Sequence, residues 1–171
     1  MRVINVEIKA LCKNQERIRG VLTGRNADFM GKDHQVDTYF VSAEGRLKLR
    51  EGNIENNLIY YERPDQEGPK TSHCILFSTV KDSSLKEILS KSMGILVVVD
   101  KEREIYFLDN VKVHLDLVDG LGTFVEIEAQ SEEGDLSEEY LQGQCSKLME
   151  EFGIVEADLV SDSYSDLMMN R

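Results

Sequence analysis

The stretch Asn5-Val6-Glu7-Ile8-Lys9 lies near the start of the chain and reads as a β-strand. Side chains on a strand alternate between its two faces. Val6 and Ile8 therefore share one face, while Asn5, Glu7 and Lys9 share the other. An amide, an acid and a base in a row on one strand face need an environment that uses them. Two environments are open: solvent on the wet side of a half-buried sheet, or the polar lumen of a closed one.

The other strand-like stretches repeat the pattern. Runs at 34–42, 46–50, 57–63, 72–80, 95–101, 103–109, 111–118 and 122–130 follow, with turn residues at Glu44-Gly45, Gly52-Asn53 and Asp119-Gly120. Helices are expected over 13–31, 83–94 and 136–153, with Asp135 a candidate cap for the last, then a short helix in the tail. Eight or nine strands joined by short turns point to a barrel or a strongly curved sheet, in one domain spanning 1–171. In Arg46-Leu47-Lys48-Leu49-Arg50 the two leucines share a face and the cations line the other. Arg63 falls on the Tyr61 face, and Lys101 and Arg103 share a parity. In the 111–118 run, Val111, Val113, Leu115 and Leu117 oppose Lys112, His114, Asp116 and Val118. Val125 and Ile127 oppose Glu126 and Glu128.

Eight of the chain's twenty Lys and Arg residues occupy these positions, although the chain carries a net charge of −12. Such cations would repel one another inside a closed sheet unless a polyanion sat among them. The acids Glu7, Asp116, Glu126 and Glu128 would need hard cations. A polyphosphate with a divalent metal meets both needs, because Lys and Arg bind phosphate oxygens and carboxylates hold the metal. A wet outer face remains the alternative for each strand taken singly.

Composition narrows the class. The chain has 171 residues and is 41% hydrophobic, enough for a packed core. Its negative charge argues against nucleic acid and anionic membranes as partners. The longest apolar run, at 94–99, is far too short to span a bilayer. Cys12, Cys74 and Cys145 are an odd, widely spaced set, read as packing residues of a reducing compartment, and a cytoplasmic location is expected. His34 and His73 read as surface or packing residues, Asp37 and Tyr39 as wall residues or supports for nearby cations. The acidic run at 131–139 reads as a solvated loop and helix start.

Taken in order, 5–9, 34–40, 45–51, 58–65, 99–107, 113–129 and the Ser163–Met168 stretch resemble the CYTH family, the triphosphate tunnel metalloenzymes, most closely its class IV adenylate cyclase branch. The resemblance implies an α+β fold: an eight-stranded antiparallel β-barrel, the triphosphate tunnel, with flanking helices. It implies an enzyme acting on a small-molecule triphosphate with Mg²⁺ or Mn²⁺. The activity would be conversion of ATP to cAMP and pyrophosphate. Hydrolysis of tripolyphosphate or thiamine triphosphate, and non-catalytic polyphosphate binding, are the alternatives. A homodimer is among the assemblies open to it. By position, Lys9, Lys48, Arg50, Arg63, Lys101, Arg103 and Lys112 would bind phosphates, and Glu7, Asp116, Glu126 and Glu128 would hold metal. Glu7, Lys9, Asp116, Glu126 and Glu128 would be catalytic, with Arg46 and His114 further lining residues and the Ser163–Met168 stretch a lid. The family's E-x-E-x-K signature is met except at its first acid, where Asn5 stands. An amide brings no charge to a metal, so weaker metal binding and reduced activity are the expected consequences.

Overall fold

A computed structural model describes residues 1–171 except Asp65, Glu67, Glu133 and Gly134. The last residue of the 58–65 stretch and two residues of the acidic run therefore lie outside the described residues. Among the described residues the elements run β1 (Arg2–Leu11), α1 (Gln15–Gly24), β2 (Asp28–Phe40), β3 (Arg46–Glu51), β4 (Asn56–Glu62), β5 (Lys70–Ser78), α2 (Leu85–Met93), β6 (Ile95–Leu108), β7 (Val111–Val118), β8 (Gly122–Glu132), α3 (Glu138–Phe152) and α4 (Tyr164–Met169). The strands close in the order β1-β5-β4-β3-β2-β6-β7-β8, every pair antiparallel. Closure leaves no unpaired sheet edge.

The apolar core lies outside the barrel wall. Val6 and Ile8 of β1, Val113 and Leu115 of β7, and Val125 and Ile127 of β8 turn outward and are buried. They meet Ile18 and Leu22 of α1 and Leu141, Cys145, Leu148 and Phe152 of α3. Those helical residues recur every three or four positions, which puts them on one face. Full burial of such side chains contributes roughly 1.5–3 kcal/mol each. With the apolar face spent on the helices, strand alternation sends the charged face of the same strands into the lumen.

Three expectations on element boundaries change. The helix expected over 13–31 ends at Gly24, because Asn26 adopts φ 54° and Asp28–Met30 join β2. The two runs at 95–101 and 103–109 form one strand, since Glu102 pairs with His34 on one side and Leu117 on the other. Asp135 does not cap α3: Ser137 does, its hydroxyl oxygen accepting from the Tyr140 amide at 3.2 Å.

The tail closes one end of the barrel. Leu159 bridges Ala10, and the Val160 amide donates to the Lys9 carbonyl at 2.9 Å. Lys70, wholly buried, donates to the carbonyls of Val160 at 3.1 Å and Ser161 at 2.6 Å. Ser163 and Asp166 cap α4 reciprocally, and Asp166 also accepts from Arg46 at 2.9 Å. Tyr164 packs on Phe124 in an apolar cluster with Tyr39, Val99 and Val118. No helix of the described residues is long and apolar enough to cross a membrane.

Candidate functional site

The barrel encloses a cavity of about 380 Å³. Lys9, Lys48, Arg50, Arg63, Lys101, Arg103 and Lys112 all line it, as do Glu7, Glu126 and Glu128. The parity rule thus brings together in one lumen the residues it placed on charged faces. Asp116 and His114 stand in the same wall, fully buried behind the lining side chains.

The cations are not a bare cluster, as the sequence suggested; each meets an acid, most often one on a neighbouring strand. Register sets the pairs: Asp37 lies opposite Arg50, Arg103 opposite Asp116 and Lys9 opposite Glu126. Arg50 grips Asp37 with two nitrogens, each at 2.9 Å, while Lys48 and Lys101 reach the same carboxylate at 3.1 and 2.8 Å. Arg103 holds Asp116 at 2.7 and 2.5 Å and Glu126 at 2.6 Å. Lys9 stands 3.3 Å from Glu126 and 4.1 Å above the Tyr164 ring. Arg63 pairs with Glu7, and Lys112 with Glu55.

Burial works against every one of these charges, and the partners decide the outcome. For Asp37 burial favours the neutral acid, yet Arg50, Lys101 and Lys48 hold its carboxyl well below the carboxylate range. For Glu126 the opposing charges are chiefly Arg103 and Lys9, with the same result. Asp116 is also lowered, against its burial, mainly by Arg103. Lys101 goes the other way. Burial first, then Arg50, Arg103 and Lys48, outweigh Asp37 and push it down to about 7.

The acid-rich side offers metal donors. His114 Nδ1 lies 3.4 Å from Glu126 and 3.6 Å from Glu128, and one donor atom from each of the three falls within 4.8 Å of the others. Asn5 is buried on the cavity wall, two positions along β1 from Glu7, which pairs with Glu128; its Oδ1 has no protein partner. Two carboxylates and an imidazole fit a divalent ion. Glu7 is engaged by Arg63, and Asp116 by Arg103 and the Tyr164 hydroxyl, the latter at 2.6 Å.

Among the described residues, Glu55 is the charged lining residue that sequence reading missed, since it sits in a turn where alternation says nothing. Lys70 was also missed, being placed ahead of the strand it begins. Cys74, expected to be a packing residue, lines the cavity beside Ser72, while Cys12 and Cys145 are buried. His34 is exposed and meets Asp100 at 2.8 Å, as a surface residue.

Comparison with known proteins agrees with this fold. The CYTH domain profile matches residues 3–164. The adenylate cyclase CyaB of Aeromonas hydrophila is 25% identical over 172 residues, covering 95% of this chain and 87% of that protein. The structure of the PH1012 protein from Pyrococcus horikoshii superposes with a TM-score of 0.80 at 25% identity, over 95% of this chain and 98% of that one. A Hippeastrum protein described as having a dominant triphosphatase activity shares the fold at 14% identity, with a TM-score of 0.66 over 98% and 95% of the two chains. The chain belongs to the CYTH family.

Proposed function

From that membership, we propose that the tunnel binds a triphosphate with a divalent cation and converts ATP to cAMP and pyrophosphate. The observation that carries the reading is the lumen itself: Lys48, Arg50, Lys101 and Arg103 converge on one cavity that Glu126 and Glu128 also line, with His114 buried behind them. The name borne by the Aeromonas relative favours cyclisation.

Each set of residues has a part. Lys48, Arg50, Lys101 and Arg103, with Lys9, Arg63 and Lys112 around them, clasp phosphate oxygens and offset charge on the leaving pyrophosphate. Glu126, Glu128 and His114 hold the metal, with Asn5 and Glu7 beside them on β1. When bound, Mg²⁺ or Mn²⁺ supplies charge neutralisation at the reacting phosphate. Asp116 acts through Arg103, fixing its guanidinium towards the lumen. The plug of α4 closes one mouth, so the triphosphate enters from the other. There Phe107, Leu76 and Met1 line the cavity together with the amides of Asn57 and Gln130. A heteroaromatic base finds stacking and hydrogen-bonding partners in that collar, which supports a nucleotide over bare tripolyphosphate.

Hydrolysis of a triphosphate is the second reading, favoured by a tunnel whose charged groups outnumber those suited to a base. One assay separates the two. The protein is given ATP, tripolyphosphate or thiamine triphosphate with Mg²⁺ or Mn²⁺, and products are resolved. The expected result is cAMP and pyrophosphate from ATP. Phosphate release without cAMP selects hydrolysis, and binding without turnover selects a binding protein.

A further inference from the structure

We propose that Glu55 is a resident counter-anion, a carboxylate of the protein's own that takes a phosphate position among the tunnel cations and sets how tightly a polyphosphate binds by having to leave it. The inference rests on the triphosphate reading and adds a residue that competes with the ligand.

Glu55 differs from the other tunnel acids in how it is carried. Glu7, Asp37, Asp116, Glu126 and Glu128 are strand residues, fixed in the wall. Glu55 precedes β4 in the turn after β3. Its carboxylate reaches into the cavity, where it pairs with Lys112 and with Arg50 at 3.1 Å, and Gln35 donates to it at 3.2 Å. Two cations and an amide donor around one anion make the surroundings that a phosphate oxygen would seek. Burial alone would favour the neutral acid, but Arg50 and Lys112 hold its carboxyl far below the carboxylate range, so the anion is permanent.

The turn is built to keep the side chain there. Asp33, wholly buried, accepts from the backbone amides of Asn53 at 2.5 Å, Ile54 at 2.9 Å and Glu55 at 3.0 Å. Chain and carboxylate approach so closely that a Cβ at Gly52 would lie 2.7 Å from Asp33 Oδ2 and from the Glu55 carbonyl oxygen. The backbone of Glu55 is thus anchored, while its side chain turns about three torsions. A tethered anion of this kind competes at high effective concentration, yet can swing aside without unfolding the turn.

The test is calorimetric titration with tripolyphosphate in the presence of EDTA, which leaves metal out of the comparison. Glu55→Gln keeps the volume and removes the charge, and should bind about tenfold more tightly than the parent. Glu55→Asp withdraws the carboxylate by one methylene and should fall between the two; it decides the matter if the glutamine variant does not fold. Glu51→Gln removes the same charge from the same hairpin, but outside the barrel where Glu51 pairs with Lys86, and should bind as the parent does. Binding by the charge-removed Glu55 variant equal to or weaker than the parent's overturns the inference. So does an equal gain from Glu51→Gln, which would be an effect of net charge. Absence of binding by every protein in EDTA overturns this inference, and absence of binding again with Mn²⁺ in place of EDTA overturns the triphosphate reading as well.

Discussion

On one side of the tunnel a single carboxylate, Asp37, holds three cations, Lys48 at 3.1 Å, Arg50 at 2.9 Å and Lys101 at 2.8 Å. On the other, a single guanidinium, Arg103, holds two carboxylates, Asp116 at 2.5 Å and Glu126 at 2.6 Å, with Glu128 and His114 just beyond. The first side has cation to spare and calls for an anion. The second has acid to spare and calls for a cation. The charge left over on each wall marks what the wall receives.

The comparison breaks most visibly in stability. Arg103→Ala should cost about 3–5 kcal/mol, because it strands two buried carboxylates without their cation. Lys48→Ala should cost under about 1 kcal/mol, since Asp37 keeps Arg50 and Lys101. Urea melts of the two variants in EDTA check this. Equal losses would mean that the two sides are not opposite in charge balance.

Next comes ligand binding. Arg50→Ala should weaken tripolyphosphate binding by about 1.5–3 kcal/mol, the worth of charged hydrogen bonds. The variant should also lose stability, as Asp37 and Glu55 both lose a partner. A thermal shift by tripolyphosphate as large as the parent's would count against a phosphate role for this side.

A smaller effect is expected at the acid-rich side. Glu128→Gln should lower Mn²⁺ affinity at least about tenfold, on the scale of altered metal-site residues. Asn5→Glu should raise it, by adding a charged oxygen donor beside Glu7, and should lower the melting temperature in EDTA, where that charge is uncompensated. Manganese isotherms unchanged in both variants would remove the metal from this wall.

How much of this was legible in the sequence follows from what alternation can and cannot tell. Parity says which face a side chain takes, so it puts Lys9, Lys48, Arg50, Lys101, Arg103 and Glu126 on the charged faces of their strands; closure of the sheet makes those faces one lumen. Parity does not say which residue lies opposite. Register across three separate hairpins and closures puts Arg103 beside Asp116, Lys9 beside Glu126 and Asp37 beside Arg50. A cluster expected to repel itself is therefore paired with acids, and removing one of its cations should cost stability. Asp37 read as a wall residue or a support for nearby cations, and it is the support; how many cations it holds depends on register, which parity does not give. Glu55 was invisible because a turn residue obeys no period. The end of α1 was misplaced because Asn26 turns the chain through a left-handed conformation, φ 54°, that helical spacing alone does not reveal.

The smallest expected effect concerns protons, and it sharpens the contrast between the two sides. Burial and the neighbouring cations push the Lys101 pKa down to about 7, so of the three cations at Asp37 it gives up its proton first as pH rises. A lysine in the unfolded chain keeps its proton to about 10.4. Between these values the unfolded state binds more protons, so Lys101 makes stability rise with pH from about 7 towards 10, and its burial penalty is felt in full below that window. A phosphate beside Lys101 restores the balance that Arg50, Arg103 and Lys48 upset, and raises its pKa. At pH 8 tripolyphosphate binding should therefore draw up to about one proton from the buffer, and affinity should strengthen as pH falls from 9 to 7. Calorimetry in buffers of different ionisation enthalpy measures the uptake directly. Lys101→Met should abolish that component while leaving proton release by the phosphate itself. The same uptake in parent and variant would show that Lys101 is already charged in the empty tunnel, and that one carboxylate suffices for all three cations of the Asp37 side.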